Sequence, residues 1–160
     1  MLKKEVRDII TKLLEKEGHF LAEVICKDWE EVVDKAAAPL IAEGAVEPQF
    51  VASAKEAAKQ FGGYVVLIED IAFFHGRPEA GVHEIGMTLV LLKDPVYLFE
   101  KRIKAAFLFA AVDNASHRNL LKALSWILND DTCLERLRDG RDPETIMKRM
   151  KEVEAKHEVS

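Results

Sequence analysis

The sequence contains two histidines whose neighbouring residues could hold the imidazole ring in place for a reaction. The first, His75, follows a short apolar stretch with two aromatic residues, and Gly76, Arg77 and Pro78 come directly after it. Glycine allows close backbone approach and proline stiffens a turn, so this frame could fix an imidazole firmly. A fixed imidazole can act as a nucleophile when its other ring nitrogen is pinned by a hydrogen bond. The alternative is an ordinary loop histidine.

The second histidine, His117, follows Ser116 at the end of a DNAS segment that has the chemistry of a helix start. A helix N-terminus presents free N–H groups and a positive dipole, which together bind phosphate and other anions. We therefore consider His117 a phosphate ligand or a hydrogen-bond donor to an oxyanion. The alternatives are a polar residue facing water and a metal site, although no carboxylate or cysteine is spaced to supply a third ligand.

The remaining reactive side chains carry weaker signals. His83 lies in a polar stretch and is expected at the surface. Cys26 and Cys133 are expected in the core, because neither has an obvious cationic neighbour in a helix-start loop. The sequence contains no Gly-rich phosphate loop, which argues against direct nucleotide binding.

Short apolar segments bounded by glycine, proline or charge must form the strands that position these histidines. They predict strands over 20–26, 64–68, 86–92 and 106–112. Residues 69–85, which contain His75, are expected to form a loop between the second and third of these strands. His117 follows the fourth. Two histidines, each near the end of a core strand, indicate a site at one edge of the sheet.

Amphipathic segments predict the helices that cover this sheet. The first is expected over 3–17, and the second begins at an Asp28 cap and ends at Gly44, with a kink or break at Pro39. Four more are expected: one that begins at Pro48, one over 117–128, one that begins at Asp131 and one that begins at Pro143. The predicted order is helix, strand, two helices, three strands and then three helices. This order predicts an α/β fold: a single three-layer α/β/α domain over residues 1–160, with a mixed central sheet and helices on both faces.

The composition excludes several classes of protein. The chain has 160 residues, of which 49% are hydrophobic and 32% charged, and no apolar run approaches the length of a transmembrane helix. A net charge of −5 without a basic block argues against nucleic acid as a partner. Two cysteines provide no disulfide framework. The N-terminus alternates charged and apolar residues, so we expect a cytoplasmic protein without a secretory signal.

Two segments resemble a known family. IAFFHGRPEAGVHEIGMTLVLLKDPV, residues 71–96, resembles the active-site segment G-I-A-x-P-H-[AG]-R-P-E of the mannitol/fructose/ascorbate-type (type-2) enzyme IIA (EIIA) proteins. These proteins belong to the bacterial phosphoenolpyruvate-dependent sugar phosphotransferase system (PTS). Residues 109–137, FAAVDNASHRNLLKALSWILNDDTCLERL, resemble the family's A-A-x-D-x-x-x-H segment. With a similar Trp-bearing segment at 28–54, the resemblance covers roughly residues 28–140.

The chain departs from the family pattern just before the first histidine. Asp70, Phe73 and Phe74 stand where the family often has Gly, Leu and Pro. Aromatic packing is therefore expected to position His75 in place of proline stiffness. The two phenylalanines are either core residues or apolar contacts for a partner protein.

A second departure concerns basic residues near the site. Mannitol-type members carry an arginine in the helix before the first strand, where this chain offers only Lys55 and Lys59. Arg77 is a candidate substitute. The segment HGRPEAGV, residues 75–82, is nearest to the ascorbate-like pattern H-A-R-P-E-D-G-V.

The resemblance implies a phosphotransferase that works as a phosphoryl relay. His75 would accept phosphate from the phosphocarrier protein HPr and pass it to a cysteine of enzyme IIB, which serves the membrane enzyme IIC in sugar uptake, with ascorbate as the candidate sugar. His117 would stabilise the phosphoryl group, and Arg77 and Ser116 are candidate phosphate ligands. No metal or cofactor is implied. A homodimer is a further expectation.

One alternative function is regulatory. Similar domains act as phosphorylation-sensing modules on transcription regulators, and a free-standing copy could do the same. A metal-dependent hydrolase that uses His75 and His117 is the other alternative.

Overall fold

A four-stranded mixed sheet carries helices on both of its faces. The computed structural model describes residues 9–157. The strands are β1 (Phe20–Val24), β2 (Asp70–His75), β3 (Gly86–Leu98) and β4 (Lys101–Ala110). The helices are α1 (Ile9–Leu14), α2 (Trp29–Ala42), α3 (Gln49–Gln60), α4 (Gly62–Val65), α5 (Asn114–Leu128), α6 (Asp131–Asp139) and α7 (Pro143–Lys156). The predicted three-layer α/β/α architecture is confirmed.

The strand order β1-β3-β4-β2 brings the ends of β2 and β4 together. The two central strands, β3 and β4, form an antiparallel hairpin, and each outer strand runs parallel to its neighbour. His75, the last residue of β2, pairs with Phe109 near the end of β4. The segments that follow these parallel strands therefore leave the sheet at the same edge.

Side chains alternate between the two faces of the sheet, as the two-residue period of a strand requires. On the first face, Ala72 and Phe74 of β2 pack with α2 and α3. On the second face, Ile71 of β2 and Phe109 of β4 pack with α1, α5, α6 and α7. His75 follows Phe74 and therefore points to the second face, towards α5.

The predicted strand over 64–68 is wrong. The segment begins inside the short helix α4, and the strand lies six residues later at Asp70–His75, within the predicted loop. Tyr64 and Leu67 are 75% and 67% exposed, whereas Ile71 is fully buried. Both segments are apolar enough to form a strand, so pairing with β4 decides between them. His75 accordingly ends a strand, and only the residues after it form a loop.

Other boundaries differ less from the prediction. Helix α5 begins at Asn114, before His117, and β3 and β4 extend further towards their common turn than predicted. Helix α2 continues through Pro39 to Ala42, because a proline removes only one helical hydrogen bond near the helix end. Residues 1–8 of the first predicted helix lie outside the described residues. Within residues 9–157, no helix is long and apolar enough to cross a membrane.

Candidate active site

The two histidines meet at the edge of the sheet where β2 and β4 end. Their ring centroids are 5.2 Å apart, with the ring planes at 74°. Phe109 lies against both, with centroids 5.2 Å from His75 and 5.7 Å from His117. Both histidines are half-buried. The imidazole pair is thus packed against Phe109 of the sheet, and both rings stay partly exposed.

The surroundings of His75 favour its neutral form. Burial lowers the pKa of His75 below its ordinary value of 6.5, and the nearby charge of His117 lowers it further. A contact with the backbone of Gly76 acts in the opposite direction but is the smallest of the three effects. A neutral imidazole has a ring nitrogen with a free lone pair, which is the form that can act as a nucleophile.

Helix α5 begins with a capping box, in which the side chains of Asp113 and Ser116 each accept a hydrogen bond from the other's backbone N–H. The Asp113 carboxylate accepts a hydrogen bond from the Ser116 N–H at 2.8 Å and interacts with the backbone of Ala115. The N–H of His117 donates to the Asp113 carbonyl at 3.0 Å. The sequence predicted free N–H groups at this helix start, and those of Ser116 and His117 are instead bonded to Asp113. The group of His117 that faces His75 is its imidazole.

The hydroxyl of Ser116 is part of the same network. It accepts hydrogen bonds from the N–H groups of Val112 and Asp113, both at 3.1 Å, and donates to the Asp113 carbonyl. The Ser116 side chain is buried. It holds together the turn that leads from β4 into α5 and thereby places His117.

The loop after His75 packs tightly on α3. A Cβ atom on Gly76 would come within 2.9 Å of Phe50 Cε1 and 3.1 Å of Ser53 Oγ, so only glycine fits this approach. The N–H of Arg77 donates to Ser53 Oγ at 2.9 Å. The side chain of Arg77 is exposed. It lines a surface cavity of about 410 Å³ between α3 and residues 77–80.

Phe74 belongs to the protein interior, and Phe73 is half-buried. Phe74 is 1% exposed and stacks on Trp29 of α2 with centroids 6.1 Å apart. Phe73 stacks on Phe107 of β4 at 5.8 Å, on the other face of the sheet. The expectation that aromatic packing fixes this strand is confirmed, and Phe74 is not accessible to a partner.

The other reactive side chains lie outside the imidazole pair. His83 is exposed and lies 3.0 Å from a Glu47 carboxylate oxygen. Cys26 and Cys133 are free and buried, as predicted. Burial raises the pKa of both thiols, that of Cys133 to about 12 with a further contribution from Asp130. Neither cysteine is suited to nucleophilic chemistry at neutral pH.

A family model for the "Phosphoenolpyruvate-dependent sugar phosphotransferase system, EIIA 2" matches residues 12–153. The chain belongs to this family. An EIIA 2 protein is a phosphotransferase component of the sugar PTS, so the resemblance found in the sequence is confirmed.

Individual relatives agree with this assignment. The mannitol-specific cryptic phosphotransferase enzyme IIA component of Escherichia coli K12 is 32% identical over 113 residues, 69% of this chain and 77% of its own length. An ascorbate-specific PTS system EIIA component of Salmonella choleraesuis is 30% identical over 123 residues, 74% of this chain and 80% of its own length. Among solved structures, that of the mannitol-specific cryptic enzyme IIA CmtB from Escherichia coli superposes with a TM-score of 0.75 at 25% identity. The match covers 91% of this chain and 97% of that one.

Two residues of the site carried no signal in the sequence analysis. Phe109 lies within an apolar strand segment and gives no sign that it contacts both histidines. Ser53 is three residues after Phe50 on α3 and so shares its face, which is the pattern that could have placed it near the sheet.

Proposed function

We propose that this EIIA 2 protein accepts a phosphoryl group on His75 from phospho-HPr and transfers it to a cysteine of enzyme IIB. The observation that carries the proposal is the pair of imidazoles, 5.2 Å apart at one edge of the sheet. Its first member has a lowered pKa and is neutral at physiological pH.

The transfer requires positioning and charge stabilisation more than covalent help from the protein. The lone pair of the unprotonated His75 ring nitrogen attacks phosphorus in line with the nitrogen of the HPr phosphohistidine. A new N–P bond forms on His75, and the old N–P bond breaks and returns its electron pair to the HPr imidazole. In the second step a thiolate of enzyme IIB attacks the same phosphorus, forming an S–P bond and releasing His75.

His117 stabilises the phosphoryl oxygens during both steps. Its imidazole contacts the edge of the acceptor ring and can donate a hydrogen bond to an oxygen that gains charge. Arg77, exposed and two residues after the acceptor, is the proposed second phosphate ligand. Ser116 could bind phosphate only by giving up a hydrogen bond within its turn, so we assign it the placing of His117.

The partners follow from the relay. HPr is the proposed donor of the phosphoryl group, and enzyme IIB is its proposed acceptor. The membrane enzyme IIC is an indirect partner that is reached through IIB. Nucleic acid is not a proposed partner. Ascorbate is the proposed sugar, supported by the HGRPEAGV segment and by the ascorbate-specific relatives. Free, buried cysteines suit a reducing compartment, which supports a cytoplasmic location. The homodimer stays a prediction.

The test is to incubate the purified chain with phosphoenolpyruvate, enzyme I and HPr, and then to measure its intact mass. We expect the mass of one added phosphoryl group, labile in mild acid as a phosphoramidate is. His75→Gln should abolish the addition, because an amide cannot act as the nucleophile. His83→Gln is the matched control and should be labelled normally. Label that persists in the His75 variant would overturn the assignment.

The second transfer distinguishes the relay from a regulatory module. Adding enzyme IIB proteins of the ascorbate and mannitol systems should discharge the labelled chain, faster for the ascorbate protein. Retention of the label with both would contradict the transport role, and faster discharge by the mannitol protein would contradict the choice of sugar.

A further inference from the structure

Three rings meet where strand β4 ends. The centroid of the Phe109 ring lies 5.2 Å from that of His75 and 5.7 Å from that of His117, and the centroids of the two imidazoles are 5.2 Å apart. The three centroids therefore form a nearly equilateral triangle. Among residues 9–157, Phe109 is the one side chain whose ring packs on both imidazoles.

Phe109 is the most firmly held member of this triangle. Its strand β4 is central in the sheet, and Phe109 pairs with Met87 of β3 on one side and with His75 of β2 on the other. Phe109 is also fully buried. His75, in contrast, is the last residue of an outer strand, and His117 lies in the first turn of α5; both are half-buried. The sheet thus fixes Phe109, and both imidazoles pack against it.

A phenylalanine at this place leaves the imidazole nitrogens available. Its ring carries no hydrogen-bonding N–H, O–H or carbonyl group, and it meets the imidazoles of His75 and His117 at tilts of 36° and 41°. A polar side chain at the same position would compete for a ring nitrogen that phosphoryl transfer needs. Phe109 instead restricts the place of each imidazole through packing alone.

We propose that Phe109 is a positioning residue for phosphoryl transfer: its ring sets the separation and the relative tilt of the two imidazoles. This rests on the proposed function, in which His75 receives the phosphoryl group and His117 stabilises its oxygens. In-line transfer tolerates little displacement of the groups that take part, so loss of the ring should slow the reaction. Phe109 itself does not touch the phosphoryl group.

Strand β4 offers a matched pair of variants for a test. Phe109→Leu keeps an apolar side chain and removes the flat ring. Phe107→Leu makes the same change at a fully buried position two residues earlier, on the same face of the sheet, where the ring stacks on Phe73. Both variants lose a buried ring and should lose stability, so Phe107→Leu controls for that loss. Phe109→Met, with a flexible apolar side chain that can fill the gap, is a second variant at the site.

The first readout is the geometry of the imidazole pair in solution. The two rings are close enough for nuclear Overhauser effects between ring protons of His75 and His117. We expect these effects at equal intensity in the parent and in Phe107→Leu. In Phe109→Leu and Phe109→Met they should be weak or lost, because neither side chain restricts the imidazoles as the ring does. A loss of stability alone would leave them unchanged in the folded protein.

The second readout separates the reaction from the binding of the donor. At saturating phospho-HPr, the rate of phosphoryl acceptance should fall by about 10- to 100-fold in both Phe109 variants, the scale of a small misplacement of reacting groups. It should stay parent-like in Phe107→Leu. The concentration of phospho-HPr that gives half the maximal rate should not change, because Phe109 is fully buried and out of reach of the donor.

Several results would overturn the proposal. Unchanged Overhauser effects in both Phe109 variants would show that the imidazoles are held in place without this ring. Changed effects with a parent-like rate would remove the link to the reaction. An equal fall of the rate in Phe107→Leu, or failure of both Phe109 variants to fold, would assign Phe109 to general packing. If even the parent accepts no phosphate, the proposed function fails, whereas the NMR comparison still decides whether Phe109 positions the pair.

Discussion

The two ends of strand β2 are held in different ways. At its start, the buried Asp70 carboxylate accepts two hydrogen bonds from Arg102, at 2.6 Å from Nε and 3.0 Å from Nη2. At its end, His75 lies among a second imidazole, a phenylalanine ring and a glycine backbone. The start is a satisfied ion pair, and the end is a neutral polar group with a free side. We infer that one end serves the stability of the strand and the other its chemistry.

The backbone at the two ends differs as well. Asp70 has a φ of 71°, in the left-handed region that favours glycine. The family often has glycine at this position, which the φ value explains. Asp70 adopts the conformation and adds the ion pair with Arg102. At the other end, Gly76 is needed for space, because Phe50 and Ser53 leave no room for a Cβ.

The largest expected effect is at the His75 end. His117→Ala removes the imidazole that contacts the acceptor ring. We expect labelling of His75 to remain detectable and onward transfer to enzyme IIB to slow by about 10- to 1000-fold, as for loss of one charge-stabilising donor. Rapid-quench measurement of both half-reactions checks this, with His83→Ala as the control. Parent-like rates with both HPr and IIB would show that His117 has no part in transfer.

At the other end, Asp70→Ala should affect stability and leave the chemistry intact. The variant loses both hydrogen bonds to Arg102 and puts alanine at a left-handed φ. We expect a melting temperature lower by a few degrees and an unchanged rate of phosphoryl acceptance by the folded protein. A folded variant with slow acceptance would show that the two ends of β2 are coupled, and the separation drawn above would be wrong.

Asp70→Gly separates the two causes of the expected loss of stability, which are the lost ion pair and the strained backbone. Glycine loses the same ion pair but adopts the left-handed conformation without steric cost. The glycine variant should therefore be more stable than Asp70→Ala by about 1 kcal/mol. Denaturant unfolding of the two variants gives this difference. Equal stability would mean that the φ of 71° costs alanine nothing here.

The comparison also shows what the sequence could and could not predict. The sequence predicted that His75 and His117 lie at one edge of the sheet, because each belongs to a motif of local residues near the end of a strand. It did not predict that the strand of His75 pairs in parallel with β4. The position of β2 was missed by six residues, because the apolar segments 64–68 and 70–75 differ in their pairing partner and not in their composition.

Contacts between segments that are distant in the chain also could not be predicted from the sequence. Ser53 and Gly76 are 23 positions apart, and only the packing of α3 on β2 brings them together. At the start of α5, where free amides were expected, those of Ser116 and His117 bond to Asp113, a residue that the sequence marked as part of a helix start. A side chain that can cap a helix competes with the ligand that the same helix end could bind.

The smallest expected effect concerns the charge of His75. Its pKa is lowered, chiefly through burial and secondly through His117, so the imidazole should gain its proton at a lower pH than an ordinary histidine does. Following the ring protons of His75 by NMR during a pH titration should show this. His117→Gln removes the second cause but keeps a polar side chain, and should raise the pKa of His75 only part of the way. Because burial remains the larger cause, the pKa of His75 should stay below its ordinary value in this variant. An unchanged pKa in the His117 variant would mean that burial alone keeps the acceptor neutral. The two imidazoles would then be neighbours in space without electrostatic coupling.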